Sequence, residues 1–381
     1  MIELTKSQKD IQKAAKDFAK GEFDKDFALD LEKKRSFPDK LFQKAADLGF
    51  IGIHFSEDCS GGGMGLFDHC LIAEEFCRKD SSLGIALIES SYGSEWVLRF
   101  ASDSLKQKYL TTVAEGSTLS SLALYEPNNG SDLSHIDTIA IKDGDHWVIS
   151  GKKAYVLNGG NADFYGVLCR TDKDTPNSLS LIIVDHDLPG VSFEDLGEKL
   201  GANLIATTNM TFDNVSVPIS QTVGTPGNGF QQGQSFLIES RVIIAAQALG
   251  IAMGAFDRAL DYSKTREQFS RKLAQFLVTK NKLATMATHI EMAKLATYHA
   301  AWLIDQGKPD AKLASMAKLI ATRAALEVSD EAIQIFGGYG YITEYDVERY
   351  YRDAKTLELY EGNRQALQQT IADIVIGKIK S

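Results

Sequence analysis

The segment LYEGNRQ, residues 359 to 365, places a single carboxylate, Glu361, between a tyrosine and a glycine. Such a carboxylate is either one more surface acid among the 51 acidic residues of the chain or a general base. A base that works near neutral pH needs burial to raise its pKa, so other motifs would have to enclose it. The sequence therefore has to be searched for the residues that share a site with Glu361.

Three further segments carry groups suited to a phosphate-bearing ligand. In LYEPNNGSDLS, residues 124 to 134, Gly130 and Ser131 offer the N–H groups and hydroxyl that often cradle a pyrophosphate, although an Asx-rich turn has the same composition. KTREQFSRKL provides Arg266 and Arg271, which form either a diphosphate clamp or a solvated face. QIFGGYGY, residues 334 to 341, has glycines that allow a ligand to approach the backbone closely.

The composition excludes several classes of function. The formal net charge is −10 and no basic stripe offsets it, which argues against nucleic acid binding. No run of eighteen apolar residues occurs, so no membrane span is expected, and the first residues lack the basic and apolar regions of a signal peptide. The four cysteines match no zinc spacing, so we predict no metal site and reduced thiols in a cytoplasmic protein.

The hydrophobic periodicity divides the chain into three parts, which predict an α+β fold. Residues 1–121 have helical spacing and open with Thr5 and Gln8 in a capping box. Residues 122–230 contain short β-branched and aromatic segments between turns, which predict a central antiparallel β-domain without the helices of a parallel dinucleotide fold. Residues 231–381 contain three long helices and a C-terminal fourth, which predict a four-helix bundle.

Together these motifs resemble the acyl-CoA dehydrogenases over nearly the whole chain. The resemblance is carried by ALYEPNNGSD, YVLNGGNADFYGVLCRTD, RVIIAAQALGIAMGAFDRALDYSKTREQFSRKLAQF, IFGGYGYITEYDVERYYRDAK and LYEGNRQ. It implies an N-terminal helical domain, a central β-domain and a C-terminal four-helix bundle. It also implies one FAD per subunit, a homotetramer built as a dimer of dimers, and electron-transferring flavoprotein as the electron acceptor.

The resemblance implies that Glu361 takes the α-proton of an acyl-CoA while flavin N5 takes the β-hydride, giving a 2,3-enoyl-CoA. In the family, the backbone N–H of this glutamate and a ribityl hydroxyl of FAD bind the thioester oxygen. A second candidate base is Glu239, because some branches of the family place the base immediately before the position of Arg241. Ser240 occupies that position here, which favours Glu361.

Further site residues are implied by the same motifs. The residues implied to bind FAD are Leu124, Tyr125, Gly130, Ser131, Tyr155, Leu157, Arg266, Phe269, Gln334, Gly337, Gly338, Asn363 and Gln365. The residues implied to bind the substrate are Ser91, Ser131, Arg241 and Gly362. Arg266 and Phe269 are expected to reach the FAD of a neighbouring subunit, and Gly362 to leave room for the substrate.

Three residues depart from the family pattern around the flavin. The family commonly has a threonine where this chain has Tyr125, and a tryptophan and a threonine at Tyr155 and Leu157. In the family the hydroxyls of these threonines form hydrogen bonds with the flavin. Leu157 has no hydroxyl and cannot form such a bond, and Tyr125 must form its bond differently. We therefore expect altered contacts to the flavin.

The segment IALIESSYGSEWVLRF, residues 85 to 100, aligns with the end of the acyl pocket in the family and is unusually polar. Glu89, Tyr92 and Glu95 either line that pocket or form a partly exposed helix face. Leu83 replaces the arginine of relatives specific for glutaryl-CoA, which disfavours a dicarboxylic substrate. Ser91 replaces the aspartate of the branch that performs 1,4-elimination, so we expect 1,2-dehydrogenation.

The expected substrate is a cyclic acyl-CoA like cyclohexanecarboxyl-CoA or a branched short one, and next a straight short or medium chain. Two other readings stay open from the sequence. One is a flavin-dependent enoyl-CoA reductase, and the other is a non-catalytic acyl-CoA-binding relative.

Overall fold

The computed structural model of the chain describes residues 2–133, 135–172 and 178–378, and Ser134, within the 124–134 motif, lies outside them. Seven α-helices precede the first strand in the described part of the chain. They are α1 (Lys6–Glu22), α2 (Lys25–Lys34), α3 (Asp39–Asp47), α4 (Leu66–Lys79), α5 (Ser81–Ile88), α6 (Ser94–Phe100) and α7 (Asp103–Ala114).

The predicted capping box at the start of α1 is confirmed. The Thr5 hydroxyl accepts from the Gln8 N–H, and the Gln8 side chain accepts from the Thr5 N–H. These two bonds satisfy backbone donors that a helix start otherwise leaves unpaired. Farther along the helix, Phe18 packs against Phe50 and Phe76, with ring centroids 5.2 and 5.5 Å away. This aromatic cluster joins α1 to α4, whose residues from Leu66 to Cys77 are all buried.

The central part is a sheet of eight strands among the described residues. They are β1 (Ser120–Ala123), β2 (Ile139–Asp143), β3 (His146–Leu157), β4 (Phe164–Arg170), β5 (Leu179–Asp185), β6 (Val191–Asp195), β7 (Thr207–Pro218) and β8 (Thr222–Val223). The strand order is β6-β7-β3-β2-β4-β5-β8, and β1 pairs with β4. Most neighbours are antiparallel as predicted, but β4 is parallel to both β1 and β2, so the sheet is mixed.

Five α-helices and a two-stranded hairpin follow in the residues described. They are α8 (Gly229–Thr265), β9 (Glu267–Gln268), β10 (Arg271–Lys272), α9 (Leu277–Asp305), α10 (Ala311–Phe336), α11 (Val347–Leu359) and α12 (Arg364–Ile376). Helix α10 packs against the other four. The helical, sheet and helical order of the prediction is confirmed, but the expected last helix is two helices, α11 and α12. The turn between them carries Glu361.

Helix α8 is long and apolar enough to cross a membrane by composition alone. Of its most apolar stretch, 83% is buried inside the protein, as in the core helix of a globular protein. The small residues Gly250 and Gly254 explain how it packs so closely. A side chain at either position would meet a backbone oxygen of α4, that of Glu74 or of Arg78, at less than 2.5 Å. No other described helix meets the same length and composition test.

Asp353 of α11 joins the three parts of the fold. One carboxylate oxygen accepts from the hydroxyls of Ser81 and Ser82 on α5, both at 2.6 Å. The other accepts from the N–H of Ala202 in the sheet domain at 2.7 Å. Since all four residues are buried, this carboxylate fixes α11, and the turn that follows it, against both other domains.

Candidate active site

Glu361 lies in a strained turn between α11 and α12. Its φ is 55° and that of Gly362 is 101°, so both residues are in a region that favours glycine. Asn363 then caps α12 by accepting from the Ala366 N–H at 3.0 Å. A side chain at 362 would also come within 3.4 Å of the Arg241 guanidinium. That distance is ordinary contact, so it is the backbone conformation that requires a glycine at 362.

Two buried basic side chains hold this turn. The Lys318 ammonium on α10 donates to the carbonyl oxygens of Tyr360 and Gly362, the second at 2.7 Å. Arg241 on α8 donates to the Glu361 carbonyl at 3.5 Å and to the Ser315 hydroxyl at 3.0 Å. Burial lowers the pKa of Lys318 to about 7, although the nearby Glu361 carboxylate opposes that shift. The strained turn is therefore anchored to two helices of the bundle.

The Glu361 carboxyl is 1% exposed, and its two oxygens have different surroundings. Oε1 accepts from the hydroxyl of Tyr92 and, at 3.2 Å, from that of Tyr125. Oε2 has no hydrogen-bond partner among the described residues. Burial raises the pKa of Glu361, whereas the Tyr92 hydroxyl, Lys318, Tyr125 and Arg241 act in the opposite direction. The result is a buried carboxyl with one free oxygen and a raised pKa, as a general base requires.

Glu361 opens into a cavity of about 560 Å³ between the sheet domain, α5 and α11. Eight of the residues predicted for the site line it: Leu124, Tyr125, Gly130, Ser131, Tyr155, Leu157, Glu361 and Gly362. Residues 124 to 131, the strand β3 and the 360–362 turn thus meet around one space. They are far apart in sequence, so only the packing of the three domains brings them together.

The segment from Leu124 to Ser131 is held on β3 by a buried ion pair. The Lys153 ammonium donates to a Glu126 carboxylate oxygen at 2.9 Å and to the Leu124 carbonyl at 3.1 Å. Glu126 also accepts from the N–H groups of Asp137 and Thr138, at 2.7 and 2.9 Å. These bonds satisfy the buried charges and fix the course of the segment past the cavity.

A bulge in β3 places Tyr155 at the mouth of the cavity. The register against β7 shifts between Lys153 and Val156, and Tyr155 has a φ of 55°. Its side chain is 70% exposed although it lines the cavity. A large exposed ring held in a strained backbone is a feature of binding surfaces rather than of cores.

Several predicted residues lie elsewhere. Ser91 does not line the cavity, and its hydroxyl donates to the Ile88 carbonyl at 3.4 Å. Glu95 pairs with His54 at 3.2 Å, away from the cavity. The alternative base, Glu239, forms an ion pair with Arg99 and does not line the cavity either. Its position gives it no free oxygen facing the space that Glu361 opens into.

The remaining residues predicted for FAD lie on other surfaces. Arg266, Gly337 and Gly338 line a second cavity of about 470 Å³ at the end of α10, where Arg266 stacks over the Tyr339 ring at 5.5 Å from its centroid. Phe269, in the β9–β10 hairpin, is 89% exposed. The others, Gln334 and Gln365, are exposed, and Asn363 is the cap of α12.

The sequence did not show that Tyr92 is a partner of Glu361 or that Glu89 lies beside it at the cavity. Tyr92 bonds the Glu361 carboxylate, and Glu89 accepts from the Tyr360 hydroxyl and, at 2.7 Å, from the Gln247 amide. Burial raises the pKa of Glu89 to about 7. Both line the cavity and are buried, so the alternative of an exposed helix face is wrong for them. The signal in the sequence was that Glu89 and Tyr92 lie three residues apart directly after an apolar segment.

No group of three or more His, Cys, Asp or Glu side chains is placed to hold a metal ion within the described parts of the chain. All four cysteines are buried and unpaired. The chemistry of the site therefore has to be read from Glu361 and the groups around it.

Comparison with known families matches the chain in three consecutive parts. Residues 5–117 match the acyl-CoA dehydrogenase N-terminal domain, residues 121–215 the middle domain and residues 227–376 the C-terminal domain. The chain is 37% identical to an acyl-CoA dehydrogenase of Bacillus subtilis, over 99% of this chain and 100% of that protein. It is 35% identical to the mitochondrial short-chain specific acyl-CoA dehydrogenase of Rattus norvegicus, over 100% and 92%.

Solved structures have the same fold over nearly the whole chain. A chain described with the electron transferring flavoprotein of Acidaminococcus fermentans superposes with a TM-score of 0.96 at 36% identity, over 99% of this chain and 100% of that one. Butyryl-CoA dehydrogenase of Megasphaera elsdenii gives 0.94 at 34%, over 99% and 100%. A glutaryl-CoA dehydrogenase of Mycobacterium smegmatis in complex with FADH2 gives 0.92 at 25%, over 99% and 96%.

Proposed function

This chain belongs to the acyl-CoA dehydrogenase family, and we propose that it oxidises a short or compact acyl-CoA between Cα and Cβ with Glu361 as the base. The family consists of FAD-dependent oxidoreductases, so the chain is an enzyme of that class with FAD as its cofactor. The observation that carries the assignment of the base is the buried Glu361 carboxyl, whose Oε2 has no partner within the described residues and which lines the cavity.

Glu361 has to remove a proton from the α-carbon of a thioester, which is a very weak acid. A carboxylate with an ordinary pKa of about 4.3 would be a poor base for this step, and burial strengthens it. The Glu361 N–H, in its left-handed backbone conformation, is the proposed donor to the thioester oxygen, where negative charge develops. Arg241 and Lys318 keep that backbone in place through the carbonyl oxygens of residues 360 to 362.

The residues around the cavity fit an FAD. No atom lies within 4 Å of the place where a side chain on Gly130 would begin, so the backbone beside Ser131 has room for a pyrophosphate. Tyr155 and Leu157 present apolar surface at the same cavity, suited to a flat ring system. When bound, FAD supplies the acceptor for the hydride that leaves the β-carbon as the α-proton is taken.

The proposed preference for a compact acyl group follows from what surrounds Glu361. Tyr92, Tyr360 and Glu89 form a connected cluster at the cavity, in which the two tyrosine rings pack edge to face and the Tyr360 hydroxyl donates to Glu89. This cluster limits the length of the acyl chain that fits beyond the base. Short-chain acyl-CoAs are named for two of the similar proteins above, the rat enzyme and butyryl-CoA dehydrogenase. The proposed substrates are therefore acyl-CoAs with a short straight chain as well as the branched and cyclic ones, including cyclohexanecarboxyl-CoA, that the sequence favours.

We further propose electron-transferring flavoprotein as the electron acceptor and a homotetramer as the assembled form. The first is supported by the structural neighbour that is described with such a flavoprotein. The second is supported by the division of the predicted FAD residues between two cavities of one chain, since a partner subunit would bring the second set to the first.

The test is reduction of the bound flavin by a panel of saturated acyl-CoAs, with straight, branched and cyclic groups of four to seven carbons. We expect the purified protein to be yellow and to bleach with the compact members of the panel. Glu361→Gln should lose at least about a thousandfold in the rate of bleaching, because the isosteric amide cannot accept the proton. Glu239→Gln is the matched control and should retain the rate.

Different outcomes would overturn different parts of the proposal. Loss of bleaching in Glu239→Gln with retention in Glu361→Gln would move the base to Glu239. A yellow protein that no saturated acyl-CoA bleaches, but that reduces enoyl-CoAs when given an electron donor, would be an enoyl-CoA reductase. A colourless protein that gains no activity with added FAD would be a non-catalytic acyl-CoA-binding relative.

A further inference from the structure

Two tyrosine hydroxyls reach the same oxygen of Glu361 from different domains. Tyr92 lies between α5 and α6 in the N-terminal domain, and Tyr125 follows β1 in the sheet domain. Both donate to Oε1, Tyr125 at 3.2 Å, while Oε2 has no partner among the described residues. Three parts of the fold therefore meet at one carboxylate oxygen, and the second oxygen is left without a bond.

We propose that Tyr92 and Tyr125 are positioning residues that anchor Oε1 of Glu361, so that Oε2 is the oxygen that takes the α-proton. The proposal rests on the proposed function, in which Glu361 is the base. It also gives Tyr125 a role other than the one the family resemblance implies. Its hydroxyl is directed at the glutamate, where a threonine side chain would be too short to reach in the same way.

The physical reason is the freedom of an unanchored carboxylate. The two oxygens of a glutamate are chemically equivalent and exchange by rotation about the terminal bond, whose energy profile is broad. Two donors on one oxygen remove this rotation and hold the other oxygen in one direction. Because a proton transfer depends steeply on the alignment of donor and acceptor, a misplacement of about 1 Å can reduce a rate on the order of a hundredfold.

The anchors also affect the basicity of Glu361. A hydrogen bond to the ionised form stabilises it, so Tyr92 and Tyr125 lower the pKa of Glu361, whereas burial raises it. The other ionisable groups around this carboxyl come from four places: Arg241 on α8, Lys318 on α10, Glu89 at the end of α5, and Tyr360 next in the chain. They remain when either anchor is removed, so the change in pKa reports the anchor itself.

The experiment replaces each anchor by phenylalanine, which keeps the ring and removes only the hydroxyl. The protonated Glu361 carboxyl is followed by infrared difference spectroscopy of the FAD-loaded protein, with the band assigned by its loss in Glu361→Gln. We expect the titration midpoint of Glu361 to rise by about one pH unit in Tyr92→Phe and in Tyr125→Phe, since a hydrogen bond to a charged group is worth roughly that much. The acid limb of the flavin-reduction profile should move to higher pH with it.

At a pH where Glu361 is fully ionised, the rate of flavin reduction should still be about tenfold lower or more in each variant, because the base is less well aligned. The matched control is Tyr109→Phe. The Tyr109 hydroxyl also donates to a carboxylate, that of Asp185 at 2.7 Å, but it does not line the cavity. This control should leave the Glu361 midpoint and the rate at high pH unchanged.

An unchanged infrared midpoint in both phenylalanine variants would overturn the anchoring role while leaving the proposed function intact. So would a shift of the same size in Tyr109→Phe, because the effect would then not be local. Retained flavin reduction in Glu361→Gln would instead remove the proposed function. The failure of the anchoring role and the failure of the proposed function are thus detected by different measurements on the same set of variants.

Discussion

Two buried carboxylates, Glu361 and Glu89, are linked through Tyr360, whose hydroxyl donates to Glu89. They differ in their partners. Glu89 accepts from Tyr360 and from the Gln247 amide on the same oxygen, and burial nevertheless raises its pKa to about 7. At neutral pH Glu89 is therefore partly protonated, and it adds less negative charge to the surroundings of Glu361 than an ordinary glutamate would.

At the residue scale, this predicts how Glu89→Gln changes the dependence of stability on pH. In the folded protein Glu89 keeps its proton up to about pH 7, whereas its ordinary pKa is 4.5. The folded state thus binds more protons between those values, and the free energy of unfolding falls as the pH rises through that window. In the variant this loss should be absent. Between pH 4.5 and 7.5 its free energy of unfolding should therefore rise by about 3 kcal/mol relative to that of the parent protein.

Urea unfolding at several pH values measures this difference. Glu198→Gln, a change of an exposed glutamate, is the control and should follow the parent protein at every pH. A difference between Glu89→Gln and the parent that stays constant with pH would contradict the raised pKa of Glu89.

The elements that form the cavity are held by a few buried polar bonds rather than by regular pairing. The segment from Leu124 to Ser131 is not part of a strand after Ala123, so its position depends on contacts to β3. These are the bond from the Ala154 N–H to the Tyr125 carbonyl, at 2.9 Å, and the ion pair between Lys153 and Glu126. The anchor Tyr125 makes the first of these contacts and is adjacent to Glu126, which makes the second.

At the element scale, Lys153→Met should destabilise the protein by about 3–5 kcal/mol, because Glu126 keeps its buried charge without its partner. The loss should be accompanied by weaker retention of FAD on gel filtration, because the cavity segment is released from β3. Lys152→Met, at the preceding and exposed position of the same strand, is the control. Equal unfolding midpoints for the two variants would show that the ion pair does not hold the segment.

At the scale of the whole molecule, the residues predicted to bind FAD do not form one site on one chain. Those near Glu361 line one cavity, while Arg266, Gly337 and Gly338 line the second, at the end of α10. Phe269 extends from the β9–β10 hairpin almost fully exposed. A large exposed aromatic residue near a surface cavity is typical of a surface that binds a partner.

We therefore predict that assembly completes the cofactor site. Arg266→Ala should lower the affinity for FAD about tenfold or more, since an arginine bound to a phosphate contributes at least that much. Its mass by sedimentation should stay that of the parent protein, because only one side chain of the second cavity is shortened. Arg323→Ala, which removes an exposed arginine paired with Glu327 on α10, is the control for affinity. A parent protein that sediments as a monomer while holding FAD would contradict the prediction.

Much of the fold could be predicted from the sequence, because its signals are local. The capping box of Thr5 and Gln8, the helical spacing in the first and last thirds and the β-branched segments between them depend on neighbours within a few residues. The parallel pairing of β1 and β2 with β4 and the break between α11 and α12 could not be predicted in this way. Strand partners are chosen by long-range packing, and the break depends on Lys318 holding a strained turn.

For the site, the sequence by itself determined the family, the candidate base and the segments that surround it, because those motifs are contiguous. Only the tertiary structure decided which side chains touch the base. Tyr92 and Tyr125 come from two other domains and reach the Glu361 carboxylate only when the domains pack, while Lys318 holds the carbonyl oxygens on either side of it. The same packing turns Ser91 away from the cavity. A carboxyl pKa depends on burial and on donors a few ångströms away, and spacing along the chain carries neither.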